Sequence, residues 1–484
     1  MTAKVPARGP VSHSSSGTQV APWFTGHHTG QGAKPLQLAL SVGIGLAVRF
    51  LLPRPLGLVL EPLPVGAWAF LAATTAVATR TLSFAQAFSA FTDDAIWLIV
   101  VAFFFARGFE KTGLGERVAN MFVKLFGKST LGLAYGLAIA EALIAPAMPS
   151  TTARAGGIFM PIISSLSKSA GSKPNDESRR KLGAFLVLSQ FEGTANSSNM
   201  YLTAAAQNLL CIKIAASMGL TIPAAWVTWF KVAIAPAWAG LLVTPLLLYK
   251  LFPPQVKATP EAPKLASERL QKMGPMSRDE MIMVATMAAA VTLWVLGERL
   301  GVPAVVTAMM GLSALLLLGV LQWRDCLQYA TAWDTLFWFA VLVGMSNQLN
   351  AIGVINHFAS SVGSQLVAAR LDWLAVFAIL NVAYFVLHYM FAAQTAHVGA
   401  LFPAFVTMML TAGVPPPIAC LSLGYMTNLF GAITHFGSGQ AAVYYGSGYL
   451  TLKEVFSYGA LMAVVNLLLW GVVGGAWWRF LGFL

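Results

Sequence analysis

Charge is scarce in these 484 residues: only 10% are Asp, Glu, Lys or Arg, against roughly a quarter in a soluble domain. Acids are scarcer than bases, 18 against 30, which leaves a formal charge of +12, and none precedes Glu61. The three cysteines, Cys211, Cys326 and Cys420, are widely spaced and form neither a disulfide framework nor a metal-ligand set. No His-Glu-x-x-His, Cys-x-x-Cys or Gly-x-Ser-x-Gly occurs, so the zinc-protease, thiol-redox and serine-hydrolase motifs are missing. Gly127-Lys128-Ser129-Thr130 ends like a phosphate loop, but the upstream glycine position is Phe122. That mismatch argues against ATP-driven transport, and neither an enzyme nor a cofactor site is expected. A short apolar core with a cleavage site, as in a secretory signal, is also missing.

Apolar sequence fills the space that charge leaves. Hydrophobic residues make up 57% of the chain and the mean hydropathy is +0.70. Apolar runs of roughly 17 to 25 residues recur, each long enough to cross a bilayer as a helix. The alternation of a β-barrel is not found. The expectation is an all-α polytopic membrane protein in contact with a lipid bilayer. Its cations sit in short loops and at the ends of apolar runs, a pattern that sets topology and suits an anionic solute rather than nucleic acid.

In chain order, 1–35 reads as a polar, disordered tail, acid-free and serine-containing, compatible with a transit-peptide remnant. Spans are expected near 36–52, 57–78 and 94–110, followed by a charged loop at 111–128. The apolar block 130–167 is broken by Pro146, Pro149 and Ser150–Arg154. Two half-depth helices meeting at a polar turn, a re-entrant hairpin, fit that length better than one span. The next span is interrupted by Glu192-Gly193-Thr194-Ala195-Asn196-Ser197-Ser198-Asn199, read as an unwound segment. A further span lies near 225–250. Residues 36–252 are then a first helix plus one repeat, 253–280 a proline- and charge-rich linker, and 281–484 a second repeat.

The second half restates the first. Asp94-Ala95-Ile96-Trp97-Leu98, leading to Gly113, precedes Asp334-Thr335-Leu336-Phe337-Trp338, leading to Gly353, by a constant 240 positions. Thr152-Ala153-Arg154 with Pro161 matches Thr395-Ala396-His397 with Pro403, and the break around Asn196 has its counterpart at 426–435. Repeats with midplane breaks at corresponding places are the mark of a secondary transporter. The candidate solute site is therefore the meeting of the two tips and the two broken helices: Ser150, Thr151, Thr152, Arg154, Asn196, Ser197, Ser198, Asn199, Gln394, Thr395, His397, Thr427, Asn428, Thr434 and His435. Thr194 adds a further hydroxyl. Arg154 offers a bidentate fork to one carboxylate and His397 a donor to a second. The structural alternatives are an Arg154 ion pair with Asp93, Asp94 or Glu192, and hydroxyls that bond back to the preceding turn. Glu192 reads equally as a proton site or an ion-pair partner. Trp226, Trp229, Trp477 and Trp478 read as an interfacial belt.

The stretches FFFARGFEKTGLGERVA (103–119), APAMPSTTARAGGIFMPII (145–163), NSSNMYLTAAAQNLLC (196–211), HYMFAAQTAHVGALF (388–402) and TNLFGAITHFGSGQAAVYYGSGY (427–449) carry a family likeness. From about residue 36 onward the chain resembles the divalent anion/sodium symporter family, within it the plastidic dicarboxylate translocators. The resemblance implies inverted repeats with two re-entrant hairpins, about 11 transmembrane helices, a homodimer and elevator-type movement. It also implies exchange of malate for 2-oxoglutarate or glutamate, with oxaloacetate a further candidate, across the plastid inner envelope. Family members carry Ser-Asn-Thr at each tip. This chain has Ser150-Thr151-Thr152 and Ala393-Gln394-Thr395, which tilts the expectation from sodium-driven symport to sodium-independent antiport. A sodium- or proton-coupled di- or tricarboxylate symporter is the second reading, and an anion channel a third.

Overall fold

The computed structural model describes residues 65–351, 353 and 371–484. The tail 1–35, the expected span 36–52 and the start of the span 57–78 lie outside the described residues. Within them the chain is almost wholly helical and no strand occurs. One isolated bridge pairs Ser129 with Ala258.

The first half runs through α1 (Val65–Ala78), α2 (Asp94–Thr112), α3 (Leu114–Phe126) and α4 (Thr130–Ile144). After α4 the chain tightens into a 3-10 turn at Ala145–Ala147, then restarts as α5 (Thr151–Arg154). A π turn at Ala155–Phe159 leads on into α6 (Met160–Ser169). Next come α7 (Gly183–Met200), α8 (Ala206–Ser217) and α9 (Ala225–Leu251). The second half holds α10 (Glu261–Met273), α11 (Arg278–Leu300), α12 (Ala304–Leu317) and α13 (Ala330–Ala351). It continues with α14 (Trp373–Leu387), α15 (Gln394–Thr411) and α16 (Pro416–Leu429). The chain closes with α17 (Gly439–Gly446), α18 (Leu452–Leu469) and α19 (Gly475–Phe480).

Five described helical stretches are long and apolar enough to cross a bilayer: Thr130–Ala147, Ala225–Leu251, Arg278–Gly297, Trp373–Met390 and Leu452–Phe480. Their outer faces stay apolar: Leu242 on α9, Val386 on α14 and Leu468 on α18 are all more than half exposed. Leaving such side chains uncovered is stable in lipid rather than in water.

Two expectations are corrected. The stretch 111–128 is not a loop, because Leu114, Ala119 and Val123 recur at helical spacing and bury one face while Glu116 and Lys124 stay exposed. Within 253–280, α10 packs along α3. Arg117 clasps the pair, bonding Glu280 through Nε (2.5 Å) and Nη2 (3.0 Å) and the Gly274 carbonyl through Nη1 (2.9 Å). Finally, 192–199 does not unwind. α7 is continuous to Met200, and the break falls at 201–205, where Tyr201 and Ala205 take extended backbone angles. Every residue of α7 is buried. Thr194, Asn196, Ser198 and Asn199 bond to groups on other segments, and Ser197 bonds back to the Thr194 carbonyl, so none of them needs the helix to open.

The matched segments end alike. α2 stops at Gly113 with φ +74°, and Gly353, two residues beyond α13, has φ +77°, a region glycine enters without steric cost. Both tips break before a helix start, at Thr151 and at Gln394. Two packed groups result. One gathers α1, α2, α11, α12 and α13; the other gathers α4, α7, α8, α9 and α14 to α18.

Candidate functional site

α7 and α16 lie at the centre of the second group, pack on each other and carry the polar core. At their contact Asn428 Nδ2 donates to Asn199 Oδ1 and Asn208 Oδ1, both at 2.7 Å, while its Oδ1 accepts from Gln207 Nε2 at 2.8 Å. Four buried amides thus join the first half of the chain to the second. Asn199 and Asn428 were expected here. Gln207 and Asn208 were not, although they stand side by side in an apolar stretch just after the break.

The unwound segment and the first tip satisfy each other's backbone, as irregular structure at membrane depth requires. The Ala206 N–H donates to Pro149 O (3.1 Å) and Thr203 Oγ1 to Pro146 O (2.9 Å). Ser150 caps α5, accepting from the Ala153 N–H at 3.1 Å.

Arg154 is fully buried, but its fork is closed on the protein. Nε donates to Glu141 Oε1 (3.1 Å), Nη2 to Ser198 Oγ (2.6 Å), and Nη1 to Ala204 O (2.7 Å) and to Met148 O. No parallel pair of N–H groups is left for a solute carboxylate. The acid that pairs with it is none of Asp93, Asp94 or Glu192. Glu141, 1% exposed on α4, is the partner, and it also accepts from Gln190 Nε2 (2.5 Å) and Thr194 Oγ1 (2.9 Å). The signal was present in the sequence: Glu141 is the lone charge in an apolar run, and a charge in that setting needs a partner. Asp93 pairs with Lys213 instead. Glu192 is buried, and no cation pairs with it among the described residues.

His397 is also enclosed, among Tyr384, Phe391 and Phe430, with ring centroids 4.4, 4.8 and 4.6 Å away. Its Nδ1 lies 3.3 Å from Nδ1 of His388, whose Nε2 bonds the Gly437 carbonyl at 2.9 Å. A carbonyl only accepts, so His388 Nε2 carries the hydrogen. With both rings neutral, His397 then donates through Nδ1, leaving Nε2 a bare acceptor with no partner. In that arrangement it offers a solute carboxylate no N–H.

Several other predicted residues are spent on structure. Asn196 turns away from the tips, donating to Asn466 Oδ1 (3.3 Å) on α18 and accepting from Trp470 Nε1 (3.2 Å). Ser197 and Thr427 bond back to the carbonyls of Thr194 (3.1 Å) and Gly424 (2.6 Å). Thr434 accepts from the Gly437 N–H at 2.8 Å, whereas His435 lies tilted against Tyr445 and edge-on to Phe456 with its Nδ1 unpartnered. The tryptophans are not a simple belt: Trp229, with no exposure, donates to Asn199 O (2.8 Å), and Trp478 to Val232 O (2.9 Å).

A narrower set remains at the junction of the tips. Thr151 Oγ1 donates to Gln440 Oε1 at 2.7 Å, which joins the first tip to α17, and Thr152 packs against the backbone of Gly439. From the second tip Gln394 Nε2 donates to Thr427 O at 2.6 Å. Gln394 and Gln440 converge over Gly431: a Cβ there would lie 2.5 Å and 3.0 Å from their two Nε2 atoms. Ala393 gives α15 no side-chain cap, so the first-turn N–H groups of the second tip are free of one. A polar seam thus runs from Thr152 through Gln440 and Gln394 to Asn428 and Asn199, and Thr395 follows Gln394 on α15. Uncommitted hydroxyls, amide N–H groups and a bare helix N-terminus are anion-binding chemistry.

Residues 47–484 match the family described as the sodium:sulfate symporter transmembrane region. The chain is 59% identical to dicarboxylate transporter 2.1, chloroplastic, of Arabidopsis thaliana, over 93% of this chain and 84% of the relative. It is 42% identical to the putative malate transporter YflS of Bacillus subtilis, over 93% and 97%. Against the L-tartrate/succinate antiporter of Escherichia coli K12 the identity is 34%, over 82% and 80%. The chain therefore belongs to the sodium:sulfate symporter family, also called the divalent anion/sodium symporters.

Proposed function

We propose that this chain is a secondary transporter that exchanges dicarboxylates, malate against 2-oxoglutarate or glutamate, across the plastid inner envelope without sodium. The observation that carries this reading is the polar seam between the two tips. Dicarboxylate transporters among its relatives, chloroplastic ones included, support the solute class and the compartment, and the named antiporter supports exchange.

The seam gives exchange a physical basis. Each buried donor left without a partner costs about 1–3 kcal/mol, and Asn199 Nδ2 is one such orphan. An empty seam carried through hydrocarbon keeps those costs. A bound dicarboxylate removes them, one carboxylate at the α15 N-terminus and the other among the hydroxyls and amides of the first tip. The Glu141–Arg154 pair is internally neutral and holds the first tip to the broken helix. In this reading the group containing α4, α7, α8 and α14 to α17 is the moving body of an elevator. The group of α1, α2 and α11 to α13 is its scaffold in a homodimer. The two tips act as re-entrant hairpins of inverted repeats in a bundle of about 11 spans.

Proteoliposomes loaded with malate are expected to take up labelled 2-oxoglutarate in sodium-free medium, and empty vesicles are not. Equal uptake into empty vesicles under a sodium gradient would overturn the exchange reading in favour of symport. Steady unitary currents in a planar bilayer would favour a channel.

A further inference from the structure

At the tip junction Gln440 uses only part of its hydrogen-bonding capacity. Gln440 is 3% exposed, on the first turn of α17. Ser438 fixes that turn by capping α17 through the Ala441 N–H (3.2 Å) and donating to Gly431 O (2.6 Å). Gln440 Oε1 accepts from Thr151, while its Nε2 makes no hydrogen bond among the described residues and is not enclosed as a buried orphan. The Nε2 atom lies at the Gly431 backbone that the second tip's Gln394 approaches from its own side. That places an amide nitrogen without a hydrogen-bond partner between the two tips, anchored by its oxygen to one of them.

We propose that Gln440 is a specificity-determining residue that reads the substituent on the carbon next to one carboxylate of the solute. This rests on the exchange reading above. An amide presents both a donor and an acceptor, and rotation by half a turn about its last torsion swaps them. With Nε2 inward the site offers N–H to an oxo or hydroxyl oxygen. With Oε1 inward it accepts from an ammonium group, and Thr151 then bonds to whatever the rotation brings to it as an acceptor. The Thr151 hydroxyl thus biases the choice, and Gln440 makes the contact.

The test is the ratio of kcat/KM for glutamate to that for 2-oxoglutarate, measured as uptake into malate-loaded proteoliposomes. Both arms use the same preparation, so the ratio is independent of how much variant is folded. Gln440→Glu replaces the donor by a carboxylate that attracts ammonium and repels an oxo group, and is expected to raise the ratio by about tenfold or more. Thr151→Val frees Oε1 to turn inward and is expected to move the ratio the same way by a smaller factor. It also serves if Gln440→Glu fails to fold. An unchanged ratio in whichever variant exchanges malate overturns the proposal. If wild-type protein shows no exchange at all, the exchange reading fails instead.

Discussion

The Glu141–Arg154 pair separates two roles that the sequence leaves mixed. If Arg154 braces the first tip, Arg154→Ala strips buried Glu141 of its cation and frees the carbonyls of Met148 and Ala204 together with Ser198 Oγ. Breaking a buried ion pair from one side costs about 3–5 kcal/mol, because the surviving charge stays in a dry site. Glu141→Gln leaves the guanidinium unpaired and is expected to cost a similar amount. Removing both charges in Glu141→Gln/Arg154→Met leaves no uncompensated ion, and should recover at least about 2 kcal/mol of either single loss. The readout is unfolding of detergent-purified protein, followed by the fluorescence of its 14 tryptophans, beside malate exchange by the folded fraction. Both single variants should lower the apparent Tm and the double variant should restore most of it. The brace reading is refuted if Arg154→Ala keeps the wild-type Tm and loses only exchange, for the guanidinium would then be facing the solute.

Other outcomes follow from the same geometry. Asn428→Leu removes three hydrogen bonds between buried amides, and at about 1 kcal/mol each should destabilise by roughly 3 kcal/mol, visible in the same unfolding experiment. Gly431→Ala pushes a methyl against Gln394 and Gln440; malate KM should rise several-fold, about tenfold at most, with little change in Tm. Arg117→Met opens the clasp on Glu280 and the end of α10. It is expected to lose about 3 kcal/mol while folded protein keeps its exchange ratio between solutes.

Much of the architecture was legible in composition. A chain this poor in charge has to hide its backbone in helices at membrane depth, and prolines beside hydroxyls mark where such helices stop. The breaks before Thr151 and Gln394, and the turns at Gly113 and Gly353, were read from local chemistry because their causes are local. The helix at 114–126 was obscured by its charges: Glu116 and Lys124 occupy an exposed face, while Arg117 is buried against Glu280. The polar run 192–199 misled for a related reason: side chains that compete with the backbone in isolation do not do so once Glu141, Arg154 and Asn466 engage them.

By itself, then, the sequence determined the class of molecule, the two tips and the inventory of donors around them, since hydropathy and turn chemistry act over a few residues. Only the tertiary structure decided which of those donors stay available. Whether a guanidinium faces a solute or Glu141 depends on groups 13 and 44 positions away meeting it in space, and spacing along the chain carries no record of that. Nor does it show that Gln440, 289 positions from Thr151, completes the junction between the tips. Hydrogen bonds are satisfied by proximity in three dimensions, so the division between structural and solute-facing polar groups is a property of the packed fold.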